Sequence, residues 1–215
     1  MPVMPTMHDA LRAGFYAVLD RDDLALARTL VGPGGARVLQ LRLKPASADE
    51  IVRVALLVRE ICNRAGALLV INDRVDVALA VGADGVHLGQ TDMPLADARA
   101  LAGARLALGV STHNAAQVRA AVAQQPAYIA YGPVFATATK QNPDPVQGLA
   151  ALAAAVILAG DVPVVAIGGI TPARVPELYA TGVTALCAIS GVNNAEDVAA
   201  AASALHNRYG ALGGE

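Results

Sequence analysis

Short, uninterrupted apolar runs recur along this chain, and a segment of helical periodicity follows each of them. Such runs are typical of parallel strands buried on both faces, whereas half-exposed strands alternate apolar and polar residues. The predicted strands are Phe15–Leu19, Arg37–Leu43, Leu68–Asn72, Gly85–Gly89, Arg105–Val110, Tyr128–Tyr131, Val164–Ile167 and Ala185–Ile189. Eight strands alternating with helices predict an α/β fold, a single-domain (β/α)8 TIM barrel over residues 1–215 with a short helical lead.

The alternative α/β architecture is a doubly wound open sheet. A GxGxxG segment after the first strand would favour it, and the sequence has none there. Helix-start signals support the barrel spacing: Ser47 with Glu50 forms a capping box, and Asn114 is placed to cap another helix. The last helix is predicted to begin at Asn194 or its neighbour and to reach about Tyr209.

Composition narrows the function classes. Apolar residues make up 55% of the 215 residues and charged residues 16%, so the chain has ample material for a large core. The net charge of −2 and the absence of Trp argue against nucleic acid, which requires a basic face. No signal-peptide pattern or membrane-length apolar span is present, which predicts a cytoplasmic protein with no membrane partner. The oligomeric state is left open, a homo-oligomer included.

The cysteines and histidines give weaker signals. Cys62 and Cys187 lack metal-ligand spacing and are predicted to be buried structural thiols. His8 and His206 are predicted to be surface residues. His87 lies inside a predicted strand and is either a core histidine or a catalytic group. His113 either lies at the start of a helix or contacts the substrate.

Two carboxylates, Asp73 and Asp92, each follow a predicted strand, and the segment between those strands is helical. This is a βαβ unit, so the strands are expected to be parallel neighbours that end on the same side of a sheet. Asp73 and Asp92 would then face one small volume, where they repel unless they share a proton or a cation. Mg²⁺ is the hard cation that commonly serves when phosphate is present. Asp73 could instead pair with Arg74 or cap the next helix, and Asp92 could be a turn residue.

Residues that can do chemistry collect where the predicted strands end. In a (β/α)8 barrel these positions form one rim, and that rim carries the active site. Amide, hydroxyl, carboxylate and ammonium groups all occur there: Arg42, Lys44, Asn72, Asp73, Gln90, Asp92, Ser111, His113, Thr137, Thr139, Lys140, Gly168, Gly169, Ser190 and Gly191. So many polar groups on one rim indicate a binding site for charged ligands.

Seven motifs make the chain resemble the thiamine phosphate synthase family. They occur in family order over nearly the whole chain: QLRLK (40–44), INDR (71–74), GVHLGQTDMP (85–94), GVSTHN (109–114), YGPVFATATK (131–140), AIGGI (166–170) and AISG (188–191). The resemblance implies a barrel enzyme that joins a pyrimidine diphosphate to a thiazole phosphate and releases pyrophosphate. The chain departs from the family at Leu43, at Ala138, in the stretch after Lys140 and at Gly191, and no implied ligand is lost.

The resemblance also implies residue roles. Mg²⁺ would be bound by Asp73 and Asp92. The pyrimidine diphosphate would be held by Gln40, Arg42, Lys44, Asn72, Ser111 and Lys140, of which Arg42, Lys44, Ser111 and Lys140 would act in catalysis. The thiazole phosphate would be held by Thr137, Thr139, Gly168, Ile189 and Ser190. Leu41, Leu43 and Ala138 are also expected among the substrate-binding residues, because they lie within the motifs that carry the other binding residues.

Elementary chemistry supports the same scheme. A departing diphosphate concentrates negative charge and needs a metal with ammonium or guanidinium donors, and the Gly-rich ends of strands seven and eight suit a phosphate monoester. Two other functions stay open: an isomerase, similar to a thiazole tautomerase, that binds one thiazole phosphate, and a non-catalytic phosphate-ligand sensor. A need for Mg²⁺ in diphosphate binding distinguishes the synthase from both.

Overall fold

The computed structural model describes residues 5–137 and 145–206. Eight parallel strands form a closed barrel in which each strand pairs with the next along the chain and β8 pairs with β1. The strands are β1 (Phe15–Leu19), β2 (Val38–Leu41), β3 (Leu68–Asn72), β4 (Gly85–Leu88), β5 (Ala107–Thr112), β6 (Tyr128–Tyr131), β7 (Val164–Ile167) and β8 (Ala185–Cys187). The predicted barrel is confirmed, and the open-sheet alternative is wrong.

Helices follow the strands and surround the barrel. Within the described ranges they are α1 (Met7–Leu11), α2 (Leu24–Val31), α3 (Ala48–Ala65), α4 (Val75–Ala80), α5 (Leu95–Ala102), α6 (Ala115–Val122), α7 (Gly148–Ala159), α8 (Val175–Tyr179, after a 3₁₀ turn Pro172–Arg174), α9 (Ser190–Asn193) and α10 (Val198–Ser203). The predicted caps are confirmed for two of them: Ser47 and Glu50 form the capping box of α3, and the Asn114 side chain accepts from the Gln117 N–H at the start of α6.

The second strand is shorter than the predicted Arg37–Leu43. It ends at Leu41, so Arg42 and Lys44 lie in the following loop and do not alternate with Gln40 on one strand face as predicted. The Arg42 N–H still donates to the Leu19 carbonyl at 2.9 Å. Pro45 follows Lys44, and because proline has no N–H and restricts the residue before it, the ladder does not continue.

The last predicted strand and helix also differ. The strand ends at Cys187, so Ile189 lies beyond it. Asn194 does not cap the last helix: Ser190–Asn193 is a separate short helix, and α10 begins at Val198, where the Asp197 side chain accepts from the Ala200 N–H at 2.9 Å. The carboxylate of Asp197 satisfies a free helix N–H, which explains the later start. The predicted end at Tyr209 lies outside the described residues.

Apolar side chains form two layers. One fills the barrel and includes Tyr16, Val38, Val70, Tyr128 and Val165; the larger one lies between the strands and the surrounding helices. Both cysteines are free and buried, and burial raises the pKa of each thiol to about 12, which agrees with structural roles. Across the described ranges, no helix is long and apolar enough to cross a membrane.

His206 is not the plain surface residue that the sequence predicted. Its ring bonds the carbonyl of Ala13 through Nδ1 at 2.7 Å and the carbonyl of Gly34 through Nε2 at 2.8 Å. Phe15 packs edge-on against the ring, with centroids 6.0 Å apart. The histidine thereby ties the end of the described chain to the loops before β1 and β2.

Candidate active site

The register of the parallel strands brings four polar side chains close to the C-terminal rim of the barrel, where the strands end. Asn72 of β3 lies beside His87 of β4, His87 lies beside Gly109 of β5, and Ser111 follows two residues later on β5. Gln40 of β2 is level with Val70, two residues before Asn72. Because residues two apart on a strand share a face, these groups line one side of the barrel wall.

Lys44 and the two rim carboxylates form one cluster. The Lys44 Nζ lies 2.5 Å from the Asp73 Oδ2, and their side chains are 51% and 20% exposed. Burial raises the pKa of Asp92, and so does the neighbouring Asp73 carboxyl group. The Gly89 N–H and the Lys44 charge oppose the rise. The predicted meeting of the two carboxylates is therefore present in the structure.

The backbone holds the cluster in place. Asp73 has φ of 63°, a left-handed conformation that is uncommon for a residue other than glycine. Its N–H donates to the His87 carbonyl at 2.8 Å, which extends the pairing of β3 and β4 by one residue. Asp92 Oδ2 accepts the Gly89 N–H at 2.7 Å, so this residue is both a turn residue and a member of the cluster. Strained backbone of this kind is often found at functional sites.

The alternative role of Asp73 as a partner of Arg74 is not observed. Arg74 instead binds Asp76 through two nitrogens, at 2.8 Å and 2.5 Å. The residue at the N-cap of α4 is Arg74, with no side-chain capping bond. Asp73 is thus directed to Lys44 and Asp92.

His87 is buried in the barrel and belongs to a continuous chain of hydrogen bonds. Its Nε2 lies 2.9 Å from the Ser111 Oγ, and its Nδ1 lies 3.1 Å from the Tyr128 hydroxyl. The Tyr128 hydroxyl is 2.8 Å from the Tyr16 hydroxyl, which also accepts from the Gln40 amide at 2.8 Å. Burial lowers the pKa of His87 to about 4, so the ring is neutral near pH 7. The core reading of His87 is confirmed by its burial and its hydrogen bonds, and a direct catalytic role stays a prediction.

His113 connects two loops of the rim. Its Nδ1 lies 2.6 Å from the Gly132 carbonyl, and its backbone N–H donates to the Gln117 side chain at 2.7 Å. These bonds join the end of β5 to the loop after β6, and a substrate contact by His113 stays a prediction. Gln90 spans a neighbouring gap, since its amide donates to the Ser111 carbonyl at 2.6 Å.

The loops after β6 and β7 pack closely against each other. Gly168 and Gly169 have φ of 99° and 64°, and a Cβ on Gly168 would lie 2.6 Å from Pro133. The Phe135 N–H donates to the Gly168 carbonyl at 3.0 Å, and the Arg174 guanidinium lies 3.7 Å above the Phe135 ring. Both positions therefore require glycine.

The remaining predicted site residues are distributed as follows. Arg42, Leu43, Thr137 and Ile189 are half-buried, Ser190 is exposed at the start of α9, and Leu41 is buried behind the rim in the outer layer. Ala138, Thr139 and Lys140 lie outside the described residues. The substrate roles of all these residues stay predictions.

Tyr16, Tyr128 and Asn193 were missed by the sequence reasoning. The tyrosines stand in apolar runs and look like ordinary core residues, and no local pattern sets them apart. Asn193 is buried in α9, where its amide donates to the Val18 carbonyl at 2.9 Å and to the Asp20 carboxylate at 2.8 Å. It fastens the segment that begins at Ser190 to the end of β1.

The carboxylate cluster fits a divalent cation. Asp73 lies close enough to Asp92 to raise the pKa of that carboxyl group, and a cation placed between two such carboxylates would relieve their repulsion. Mg²⁺ is usually bound by one or two carboxylates, with substrate phosphates and water completing its shell. Residues 5–137 and 145–206 hold no group of three or more potential metal-ligating side chains, so protein ligands alone would not enclose the ion. Metal binding at this site stays a prediction.

A comparison with known protein families decides the relationship. The sequence profile described as thiamine monophosphate synthase matches residues 15–192, which include every strand of the barrel. The chain belongs to the thiamine monophosphate synthase family.

Curated members of the family cover most of this chain. The thiamine-phosphate synthase of Methanoculleus marisnigri is 43% identical over 190 residues, which cover 88% of this chain and 89% of that protein. The thiamine-phosphate synthase of Chloroflexus aurantiacus is 46% identical over 175 residues, covering 80% of this chain and 79% of that protein. The similarity thus extends over the rim motifs and is not limited to one of them.

A solved structure agrees. The thiamine phosphate pyrophosphorylase from Pyrococcus furiosus superposes with a TM-score of 0.82 at 35% identity, covering 91% of this chain and 95% of that one. The family resemblance stated from the motifs is therefore confirmed, together with the barrel that it implied.

Proposed function

We propose that this enzyme joins 4-amino-2-methyl-5-(diphosphooxymethyl)pyrimidine to thiazole phosphate and releases thiamine phosphate and pyrophosphate, with Mg²⁺ bound by Asp73 and Asp92. The observation that carries the proposal is the cluster of Lys44 with the two carboxylates at the C-terminal rim of the barrel. An ammonium beside a carboxylate pair suits a ligand that brings phosphate charge and a cation together.

The pyrimidine diphosphate is proposed to lie over the ends of β2 to β5. Arg42 and Lys44 supply positive charge for the diphosphate, and Gln40, Asn72 and Ser111 supply hydrogen bonds from the barrel wall. Lys140, which the family resemblance adds, is a further positive donor. Mg²⁺ bound at the carboxylate pair would neutralise charge on the leaving group and so lower the barrier to its departure.

The thiazole phosphate is proposed to lie over the ends of β6 to β8. Gly168 and the Ser190 segment supply the small, polar surroundings that a phosphate monoester requires, with Thr137, Thr139 and Ile189 beside it. The close packing of Gly168 on Pro133 supports this, because a rigid turn can hold backbone N–H groups at fixed positions.

The proposed reaction needs no protein nucleophile. The bond between the pyrimidine methylene and the diphosphate oxygen breaks, its electron pair leaves with pyrophosphate, and the thiazole nitrogen forms the new C–N bond. The electron-rich aminopyrimidine stabilises the transient cation, as the family resemblance implies. The rim supplies charge and positioning, and its serine is paired with the neutral His87, which lacks the carboxylate of a catalytic triad.

Both substrates are small, water-soluble phosphates, so we place the reaction in the cytoplasm. An isomerase acting on thiazole phosphate alone would have no use for the cluster of Lys44, Asp73 and Asp92. A phosphate sensor would have no use for the separate, second anion site at Gly168. The cluster and the proposed second anion site together favour the synthase.

Calorimetric titration with the pyrimidine diphosphate tests the proposal. With Mg²⁺ present we expect saturable binding to one site per chain, and with EDTA we expect at least a tenfold loss of affinity. Binding that is unchanged by EDTA would contradict the carboxylate–Mg²⁺ assignment. Failure of the diphosphate to bind at all, with binding of thiazole phosphate retained, would favour the isomerase.

A further inference from the structure

We propose that Tyr16 and Tyr128 are positioning residues for the active site. Together with Gln40 they form a buried hydrogen-bond chain that keeps the proton of His87 on Nε2. Ser111 then presents its hydroxyl hydrogen to an acceptor atom of the diphosphate substrate. The inference rests on the proposed function for the role of Ser111. The hydrogen-bond chain itself is a feature of the barrel, and its five members come from β1, β2, β4, β5 and β6.

The direction of the chain follows from counting hydrogens. Gln40 directs its amide nitrogen, which can only donate, at the Tyr16 hydroxyl. Within the described ranges, the hydrogen bonds of that hydroxyl are to Gln40 and Tyr128, so its own hydrogen goes to the Tyr128 oxygen, 2.8 Å away. The Tyr128 hydrogen then goes to His87 Nδ1, which must be an unprotonated acceptor.

The opposite direction costs a buried hydrogen bond. If His87 Nδ1 carried the proton, it would donate to Tyr128, and Tyr128 would donate to Tyr16. Tyr16 would then receive two donors, and its own hydrogen would have no acceptor among the described residues. Tyr16 is 2% exposed and Tyr128 is fully buried, so water cannot satisfy that hydrogen easily. An unsatisfied buried donor is strongly disfavoured, and the first direction therefore dominates.

The tautomer determines what Ser111 can do. A neutral imidazole has one N–H, and with Nδ1 as acceptor that N–H is on Nε2 and donates to the Ser111 Oγ at 2.9 Å. The Ser111 hydroxyl hydrogen is then available for another acceptor. Phosphate oxygens and pyrimidine ring nitrogens only accept, so this arrangement matches them. With the other tautomer, Ser111 would donate to His87 and offer the substrate only a lone pair.

The sequence makes room for this chain at one glycine. Gly109 is level with Tyr128 on the neighbouring strand, and a Cβ on Gly109 would overlap the phenol ring of Tyr128. The absence of a side chain there lets the ring cross the barrel and stack on His87, with centroids 5.7 Å apart and planes 20° apart. Gly109 is therefore needed for the position that Tyr128 takes in the hydrogen-bond chain.

The position of the proton is measured directly by two-bond ¹H–¹⁵N correlation spectra of the ligand-free protein labelled with ¹⁵N-histidine. We expect His87 to show a protonated Nε2 and an acceptor-type Nδ1. In the Tyr128→Phe variant Nδ1 has lost its donor, and we expect a measurable shift towards the Nδ1–H tautomer. A wild-type protein with the proton on Nδ1 would overturn the proposal whether or not the enzyme makes thiamine phosphate.

Kinetics of a double-mutant cycle test the link to Ser111. Tyr128→Phe is expected to lower kcat/KM for the pyrimidine diphosphate about tenfold, because a hydrogen bond to a charged group is lost, with the KM for thiazole phosphate unchanged. In the Ser111→Ala background the same substitution is expected to change kcat/KM by less than about twofold. Equal losses in both backgrounds would mean that Tyr128 acts only through general structure, which would contradict the proposal.

Two further variants separate positioning from folding. Tyr131→Phe removes a hydroxyl from the same strand, but one that bonds Gln147 at 3.3 Å in the outer layer, so we expect near-native kinetics. Tyr16→Phe with Tyr128→Phe removes both inner hydroxyls, so the Tyr16 hydroxyl is not left as a donor without an acceptor, and only the Gln40 amide loses its partner. This double variant should still show the Tyr128→Phe defect. Recovery of native activity in this double variant would overturn the proposal. If the wild-type enzyme makes no thiamine phosphate, the proposed function fails, and the spectra still decide the tautomer.

Discussion

The Lys44 Nζ lies 2.5 Å from the Asp73 Oδ2, so a lysine occupies the place beside the carboxylate pair that a bound cation would share. The same ammonium opposes the rise in the pKa of Asp92. Lys44 therefore acts as a counter-ion to the carboxylates and, because its side chain is half-exposed at the rim, is able to turn towards a bound diphosphate.

Lys44→Ala should affect the two ligands in opposite directions. Without the substrate, Mg²⁺ is expected to bind at least as tightly as in the wild type, because the Lys44 ammonium no longer neutralises the Asp73 carboxylate. The KM for the pyrimidine diphosphate is expected to rise about tenfold or more, the cost of a charged hydrogen bond. Isothermal titration with Mg²⁺ and steady-state kinetics measure the two effects.

The matched control for Lys44 is Arg64→Ala, since the Arg64 side chain is 83% exposed near the end of α3. This variant should leave both values unchanged. Weaker Mg²⁺ binding in Lys44→Ala, or an unchanged KM for the diphosphate, would show that Lys44 is not placed between the carboxylates and the substrate.

Asp73→Asn and Asp92→Asn should each reduce Mg²⁺-dependent turnover by orders of magnitude while the fold stays intact. Asparagine tolerates the left-handed conformation of residue 73, so the first substitution removes the charge without adding backbone strain. Turnover is measured against Mg²⁺ concentration, and circular dichroism reports the fold. Asp161→Asn, at an exposed loop residue before β7, is the control. Near-normal activity of either rim variant at limiting Mg²⁺ would exclude a two-carboxylate metal site.

The buried His87 predicts a specific loss of stability in acid. Its pKa is about 4 in the folded protein and about 6.5 when unfolded, so between these values the unfolded state binds more protons. The contribution of the neutral His87 to the free energy of unfolding is nearly constant above pH 7 and is lost as the pH falls. Compared with a His87→Gln variant, which has no such group, the wild type should lose about 2 kcal/mol of unfolding free energy between about pH 7 and pH 5.

Urea unfolding of both proteins at several pH values measures this difference. The pair of proteins matters because carboxylates elsewhere titrate in both and cancel in the comparison. A difference in unfolding free energy that stays constant with pH would mean that His87 is able to take up a proton in the folded barrel.

Gly168→Ala should be more damaging than Gly160→Ala. Both residues have positive φ, at 99° and 59°, so alanine costs about 1 kcal/mol of backbone strain at each. A Cβ at residue 160 meets no atom within 4 Å, whereas at residue 168 it would lie 2.6 Å from Pro133. The added overlap should cost about 1–3 kcal/mol more.

The displaced loop should also weaken thiazole phosphate binding. Gly168→Ala is expected to raise the KM for thiazole phosphate while leaving the KM for the pyrimidine diphosphate near its wild-type value. Thermal unfolding and steady-state kinetics with each substrate varied in turn measure both effects. Equal behaviour of the two alanine variants would remove Gly168 from the proposed phosphate site.

The fold could be predicted from the sequence because each parallel strand, buried on both faces, is a local apolar run. The meeting of Asp73 and Asp92 could be predicted for a related reason, since a βαβ unit brings both strand ends to one edge. The details of termini could not. The end of β2 at Leu41 depends on how the loop before Pro45 turns, and the start of α10 depends on which of several polar residues caps it.

The hydrogen-bond chain through the barrel was beyond sequence reasoning for a different reason. Tyr16 and Tyr128 are 112 positions apart and lie in unremarkable apolar runs. Only closure of the barrel turns both side chains inward towards His87. The role of Gly109 follows only from the structure, in which the Tyr128 ring occupies the space that a Cβ on residue 109 would take. Such contacts are set by packing across the barrel, and no local pattern encodes them.

The joining reaction itself is the most direct test of the account. Purified enzyme is incubated with the pyrimidine diphosphate, thiazole phosphate and Mg²⁺, and the products are followed by chromatography and a pyrophosphate assay. We expect thiamine phosphate and pyrophosphate in equal amounts, with formation of both abolished by EDTA and by Asp73→Asn. Isomerisation of thiazole phosphate without either product, or undiminished synthesis by the Asp73→Asn enzyme, would contradict it.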